Sequence, residues 1–131
     1  MDTEEKNLPT VLLEGELTEQ ILGAAFKVLN ELGCGFLEKV YENALLVELA
    51  RPGQRVEQQR PFKIKYAGAI VGEYQADLVV DDRVILECKA VSKLDPVHEA
   101  QLLNYLRATG IRVGLLLNFG RPKLQFKRLV V

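Results

Sequence analysis

The chain has 131 residues, of which 48% are hydrophobic and 27% charged, with a net charge of −1 and a pI near 5.9. That length buries one core without metal or disulfide staples. The composition excludes a strongly basic nucleic-acid binder, a disulfide-knit scaffold (Cys34 and Cys88 give no framework) and a helix-spanned membrane protein, since no apolar run reaches roughly 18 residues. The acidic N-terminus has no signal-peptide character, so a cytoplasmic protein is the expectation.

Residues 1–16 read as a flexible, polar N-terminal segment, with a short ordered piece near Val11-Leu12-Leu13. A single domain is expected over 17–131. Thr18 is the expected N-cap of a first helix carrying Ile21, Leu22, Ala25, Phe26, Val28, Leu29 and Leu32 at helical spacing. Gly33-Cys34-Gly35 breaks it. A second helix puts Leu37, Val40, Tyr41, Ala44, Leu45 and Leu49 on an inner stripe and ends before Pro52-Gly53. Glu38 opens this helix, with Tyr41 and Glu42 on the same face. An acid in a first helical turn also complements the helix dipole.

Two short strands are expected next, around Arg55–Gln58 and Phe62–Tyr66, with a turn at Ala67-Gly68-Ala69. A hairpin follows, starting near Ile70 and turning at Asp81-Asp82-Arg83. A two-residue loop would set Asp77 opposite Leu86 and mix acid with leucine. A three-residue loop pairs Val80 with Val84, Leu78 with Leu86 and Ala76 with Cys88 on one apolar face. The other face then carries Asp77 opposite Glu87 and Gln75 opposite Lys89. Two carboxylates with Cβ atoms about 5 Å apart repel unless a cation joins them. A metal ion is one solution and Lys89 another. Such a polar face is also, and more often, plain solvated surface.

Asp95 and Pro96 cap and open a third helix, closed by Gly110 after Thr109. Gln101 lies beside its leucines, at the border of core and solvent. His98, the lone histidine, makes no zinc site and reads as a first-turn surface residue. Ile111–Asn118 and Leu124–Val131 are the last strands. Helix, helix, strands, helix, strand, strand describes an α/β (α+β) domain, a mixed sheet flanked by helices.

Charge is uneven. Residues 1–50 hold ten acids and three bases, and residues 51–131 eight acids and fourteen bases. Arg51, Arg55, Arg60, Lys63 and Lys65 form one basic cluster, and Arg121, Lys123, Lys127 and Arg128 another. Each is either a phosphate-contacting patch or a solvated strand edge.

Gly35-Phe36-Leu37-Glu38-Lys39-Val40-Tyr41 matches a GxxExxY signature. Together with Gly72–Val80, Pro96–Leu106 and Gly114–Gly120, it makes residues 17–130 resemble the GxxExxY protein family of the PD-(D/E)XK nuclease-like superfamily. The resemblance implies a restriction-endonuclease-like core and a metal-dependent nuclease. It implies Asp77 and Glu87 as metal-binding acids, the Cys88 carbonyl as a further ligand, and Lys89 as the residue positioning water or stabilising charge. Glu38 corresponds to an extra helix acid and Gln101 to a polar residue on the helix after the E-x-K strand. Mg²⁺ or Mn²⁺ is the implied cofactor, and nucleic acid, DNA before RNA, the implied partner. Homodimerisation would widen so small a footprint. Ala76 stands where the superfamily name has proline. No role for Tyr41 follows; it either bonds a carboxylate or holds its helix. The alternative is a non-catalytic nucleic-acid- or protein-binding module on the same fold.

Overall fold

The computed structural model describes residues 12–131. Most of the expected N-terminal segment, including Val11, lies outside the described residues. Among the described residues, three helices, α1 (Gly15–Leu32), α2 (Glu38–Leu49) and α3 (Pro96–Thr109), pack on a sheet of five strands. These are β1 (Val56–Tyr66), β2 (Ala69–Val80), β3 (Val84–Lys89), β4 (Val113–Asn118) and β5 (Gln125–Val130), in the spatial order β1-β2-β3-β4-β5. All neighbours are antiparallel except β3 and β4, which run parallel because α3 carries the chain from one to the other.

Helix α1 starts before Thr18. Glu14 is its N-cap, in the left-handed region and without a side-chain cap bond. Thr18 is instead buried one turn in, and its hydroxyl donates to the Gly15 carbonyl at 3.1 Å. Leu17, Ile21, Ala24, Ala25, Val28 and Leu29 bury the inner stripe, while Phe26 and Leu32 stand half out of it. In α2 the buried face is Tyr41, Glu42, Leu45 and Leu49; Leu37, at 82% exposure, and Val40 are not part of it. Helix α3 begins and ends as the sequence predicts. The Asp95 carboxylate accepts from the Val97 N–H at 2.9 Å, His98 Nδ1 accepts from the Asp95 N–H at 3.2 Å, and Gly110 closes the helix in the left-handed region.

The sheet is apolar on both faces. One face and α1–α2 enclose Leu78, Val80, Val84, Leu86, Cys88, Leu115 and Leu117. The other, under α3, encloses Tyr74, Ala76, Val79, Ile85 and Leu116. The expected register of β2 on β3 holds for Val80–Val84 and Leu78–Leu86, then the ladder stops. Ala76 and Cys88 do not share a face: they lie in opposite cores, because β2 changes face between Ala76 and Leu78. The same happens in β1, which is one continuous strand rather than two, with the turn confined to Ala67-Gly68. Gln59, at φ 52, is its kink, and the pair Gln59–Asp77 is missing between the paired Gln58–Leu78 and Arg60–Ala76. Both strands therefore break their alternation at one level, and Asp77 sits at the break.

Candidate active site

The break has a specific bonding pattern. Cys88 N–H, which would bond β2's backbone in a regular ladder, donates to the Asp77 carboxylate at 2.8 Å. In return the Asp77 N–H donates to Glu87 Oε2 at 3.3 Å. Each acid caps the other strand, which satisfies the backbone groups freed where the strands splay. Asp77 and Glu87 are thus interlocked, but not as a directly opposed pair on one polar face. Asp77 lines a cleft of about 490 Å³ toward α2, and Glu87 a small cavity of about 20 Å³ toward α3.

On the α2 side, Gln59 Nε2 donates to Asp77 at 3.2 Å and to both Glu42 oxygens at 3.3 and 3.1 Å. Gln58 and Lys39 also donate to Glu42, at 2.7 and 3.0 Å. Glu42 is nearly fully buried at 3% exposure, whereas Glu38 is exposed and its carboxylate accepts from the Ala90 N–H at 3.4 Å. On the α3 side, the Tyr74 hydroxyl donates to Glu87 Oε2. Its ring stacks on Tyr105 at 3.7 Å between centroids and 4° between planes. Lys89, Gln101 and His98 line the same small cavity as Glu87. Gln101 is exposed, and the part-buried His98 is engaged in capping.

Electrostatics follow from this packing. Burial, then the charge of Asp77, pushes the Glu87 carboxyl up to about 7, against the opposing pull of Tyr74, the Asp77 N–H and Lys89. Burial also raises Asp77, aided by Glu42 and opposed by the Cys88 N–H, Gln59 and Lys89. Burial, with Glu87 and Asp77 beside it, drives the Tyr74 phenol upward and keeps it a neutral donor. The Cys88 thiol is raised by complete burial and then by the charges of Asp77, Glu42, Glu87 and Glu38. This thiol is core, not nucleophile.

Among the described residues, no three side chains of His, Cys, Asp and Glu converge to hold a metal ion. Asp77, Glu87 and Glu38 therefore do not form a three-acid cage. The donor set still suits a hard cation that keeps most of its waters and takes one or two carboxylates. Asp77 and Glu87 are such a pair, and Glu87 Oε1 accepts no hydrogen bond among the described residues, both donors going to Oε2. In the parallel pairing, Lys89 turns its carbonyl to Phe119 N–H at 2.8 Å, so the alternation turns the Cys88 carbonyl toward the splay.

The remaining signature residues are structural. The Tyr41 hydroxyl donates to the Gly33 carbonyl at 2.7 Å and accepts from the Phe36 N–H at 3.1 Å, while its ring stacks on Phe119 at 4.8 Å. It holds the α1–α2 turn and, among the described residues, bonds no carboxylate. Asn118, fully buried, clamps the chain just after β3: its Oδ1 accepts from Val91 N–H at 3.0 Å and its Nδ2 donates to Val91 carbonyl at 2.9 Å.

Sequence reasoning left three groups of this constellation unassigned. Glu42 was legible as the i+4 neighbour of Glu38. Gln59 and Tyr74 were not, because a regular strand would aim them elsewhere.

A family model described as the PD-(D/E)XK nuclease superfamily matches residues 15–129. The chain belongs to the PD-(D/E)XK nuclease superfamily. Its five-stranded mixed sheet and three helices agree with the restriction-endonuclease-like fold of that superfamily. No curated protein and no solved structure matches the chain. No described helix is long and apolar enough to cross a membrane. Two larger grooves, of about 790 and 580 Å³, run along α1, away from these acids. Their linings are mainly apolar, whereas the smaller cleft is lined by Glu38, Glu42 and Asp77.

Proposed function

We propose that this protein is a metal-dependent nuclease of the GxxExxY branch, hydrolysing phosphodiester bonds, with DNA favoured over RNA. The observation that carries the reading is the interlock of Asp77 and Glu87 at a break in the sheet, with Lys89 two residues beyond Glu87. Two part-buried acids, Glu87 raised by burial and by Asp77, and Asp77 by burial and by Glu42, call for a cation.

Asp77, Glu87 and the Cys88 carbonyl would hold Mg²⁺ or Mn²⁺. When bound, such an ion lowers the pKa of a water and neutralises charge on the phosphate. The side chains do the rest. Tyr74 and the Asp77 N–H fix Oε2 of Glu87 and leave Oε1 without a donor among the described residues. Gln59 holds Asp77 and Glu42 together. Lys89 supplies positive charge to both acids and to an oxyanion beside them. Glu38, at the mouth of the cleft, and Gln101, at the edge of the small cavity, border the scissile group rather than anchor it.

The test is cleavage of labelled single-stranded and duplex DNA and RNA with Mn²⁺. Wild type should cut at least one, and the Asp77→Ala/Glu87→Ala/Lys89→Ala protein none while keeping its circular dichroism. Equal activity in both proteins sinks the proposal. The lack of a converged three-acid set favours a second reading, a non-catalytic nucleic-acid- or partner-binding module. Calorimetry separates them: a nuclease binds Mn²⁺ through Asp77 and Glu87, and a module has no need to.

A further inference from the structure

Strands β1 and β2 outrun the sheet. They span eleven and twelve residues, but β3 pairs with β2 only over Leu78–Val80. Residues 60–76 thus form an arm that starts at the Gln59–Asp77 break and leads away from it. One face of the arm is covered: Phe62, Ile64 and Tyr74 pack into the core under α3. The opposite face is bare, and Pro61, Lys63, Lys65, Glu73 and Gln75 on it are all exposed. By strand alternation this bare face is the one turned toward α2, the side on which the cleft of Asp77, Gln59 and Glu42 opens.

Charge differs along the arm. Arg55 and Arg60, at its root, are neutralised by Glu57 and Asp82. Lys63 and Lys65 make no ion pair among the described residues, although Glu73 lies across the ladder from Lys63. At about 3.3 Å per residue, they stand roughly 13 and 20 Å from Gln59. At the tip, Tyr66, 75% exposed, pairs with Ala69 and by the same alternation falls on the face of Phe62 and Ile64, not on that of the lysines. Pairing of a second copy along the free β1 edge is discouraged by Pro61 and by the lysines.

We propose that the bare face of the β1–β2 arm is the track along which a nucleic-acid strand runs into the cleft, its phosphates on Lys63 and Lys65. The proposal rests on the nucleic-acid reading above and adds the surface that nothing in the catalytic set identifies.

The test measures binding without cleavage, by fluorescence anisotropy of a labelled 20-nucleotide single strand and of the 20-base-pair duplex in EDTA. Wild type, Lys63→Gln/Lys65→Gln and a control Lys123→Gln/Lys127→Gln are compared between 50 and 300 mM salt. Losing two phosphate contacts should weaken duplex binding roughly ten- to a hundredfold at 0.1 M salt and make the log–log salt slope shallower by about 1.8. The control should match wild type. All four lysines are exposed, so the fold is not at risk. An arm variant with wild-type affinity and slope overturns the track, as does a loss confined to the control pair. So does a wild-type dimer, seen by sedimentation, that the arm variant loses while its nucleic-acid binding stays intact. No binding of either probe by wild type overturns the nucleic-acid reading itself, and the track with it.

Discussion

Replacing Glu87 by glutamine should make the metal-free protein more stable at neutral pH, not less. The carboxyl is part-buried and raised from 4.5 to about 7 in the folded protein. A raised acid contributes stability that is fully present below the unfolded value and is lost as pH rises through the folded one. The window is therefore about pH 4.5 to 7, with stability falling toward alkali. At roughly 1.4 kcal/mol per unit, the shift is worth about 3 kcal/mol, or roughly 10 °C in Tm for a domain of this size. Glutamine keeps the shape and an oxygen for the Tyr74 hydroxyl but never ionises. Thermal melts in EDTA at half-unit steps from pH 4.5 to 8 should show wild type losing Tm through this window. The Glu87→Gln curve should be flatter, and the two should diverge by several degrees at pH 8. Asp77 is raised in the same direction, so some slope remains in the variant. Mn²⁺ should restore the wild type at pH 8 and leave the variant unmoved. Parallel curves for the two proteins in EDTA would refute the argument that Glu87 is ionised at a cost.

Tyr74→Phe keeps the ring stack on Tyr105 but removes the hydroxyl that fixes Glu87; calorimetry should show Mn²⁺ binding weakened roughly ten- to a hundredfold. Tyr41→Phe should cost about 1–3 kcal/mol in urea unfolding, because the Gly33 carbonyl and the Phe36 N–H lose their common partner. Gly120→Ala would drive a Cβ into the backbone of Val91. It should destabilise by about 3 kcal/mol or prevent recovery of folded protein, read from the same urea curves.

The helices and the central register were legible because local chemistry and burial agreed. Asp95-Pro96 and Gly110 bracket α3, and the three-residue turn left only one register with leucine against leucine. The surfaces of α1 and α2 were less so: helical spacing assigns Phe26 and Leu37 to the stripe, but the stripe is narrower than their positions. What the pattern could not carry was the double kink. Alternation predicts faces only while the strand stays regular, and Gln59 in the left-handed region resets it for both strands. Asp77, Glu87 and Lys89 were named from strand adjacency and motif, whereas their partners Gln59, Glu42 and Tyr74 depend on that reset.

The kink divides the sheet into two regions that should open separately. Inward of Gln59 and Asp77, the strands are covered on both faces; outward, only α3 shields the arm. Backbone amides of the arm should exchange with solvent by local opening, well ahead of those in β3 and β4. Asp77 sits on the seam between the two. A strand held on the arm would slow that opening, and the first carboxylate to sense the slowing would be Asp77, the one proposed to hold the metal.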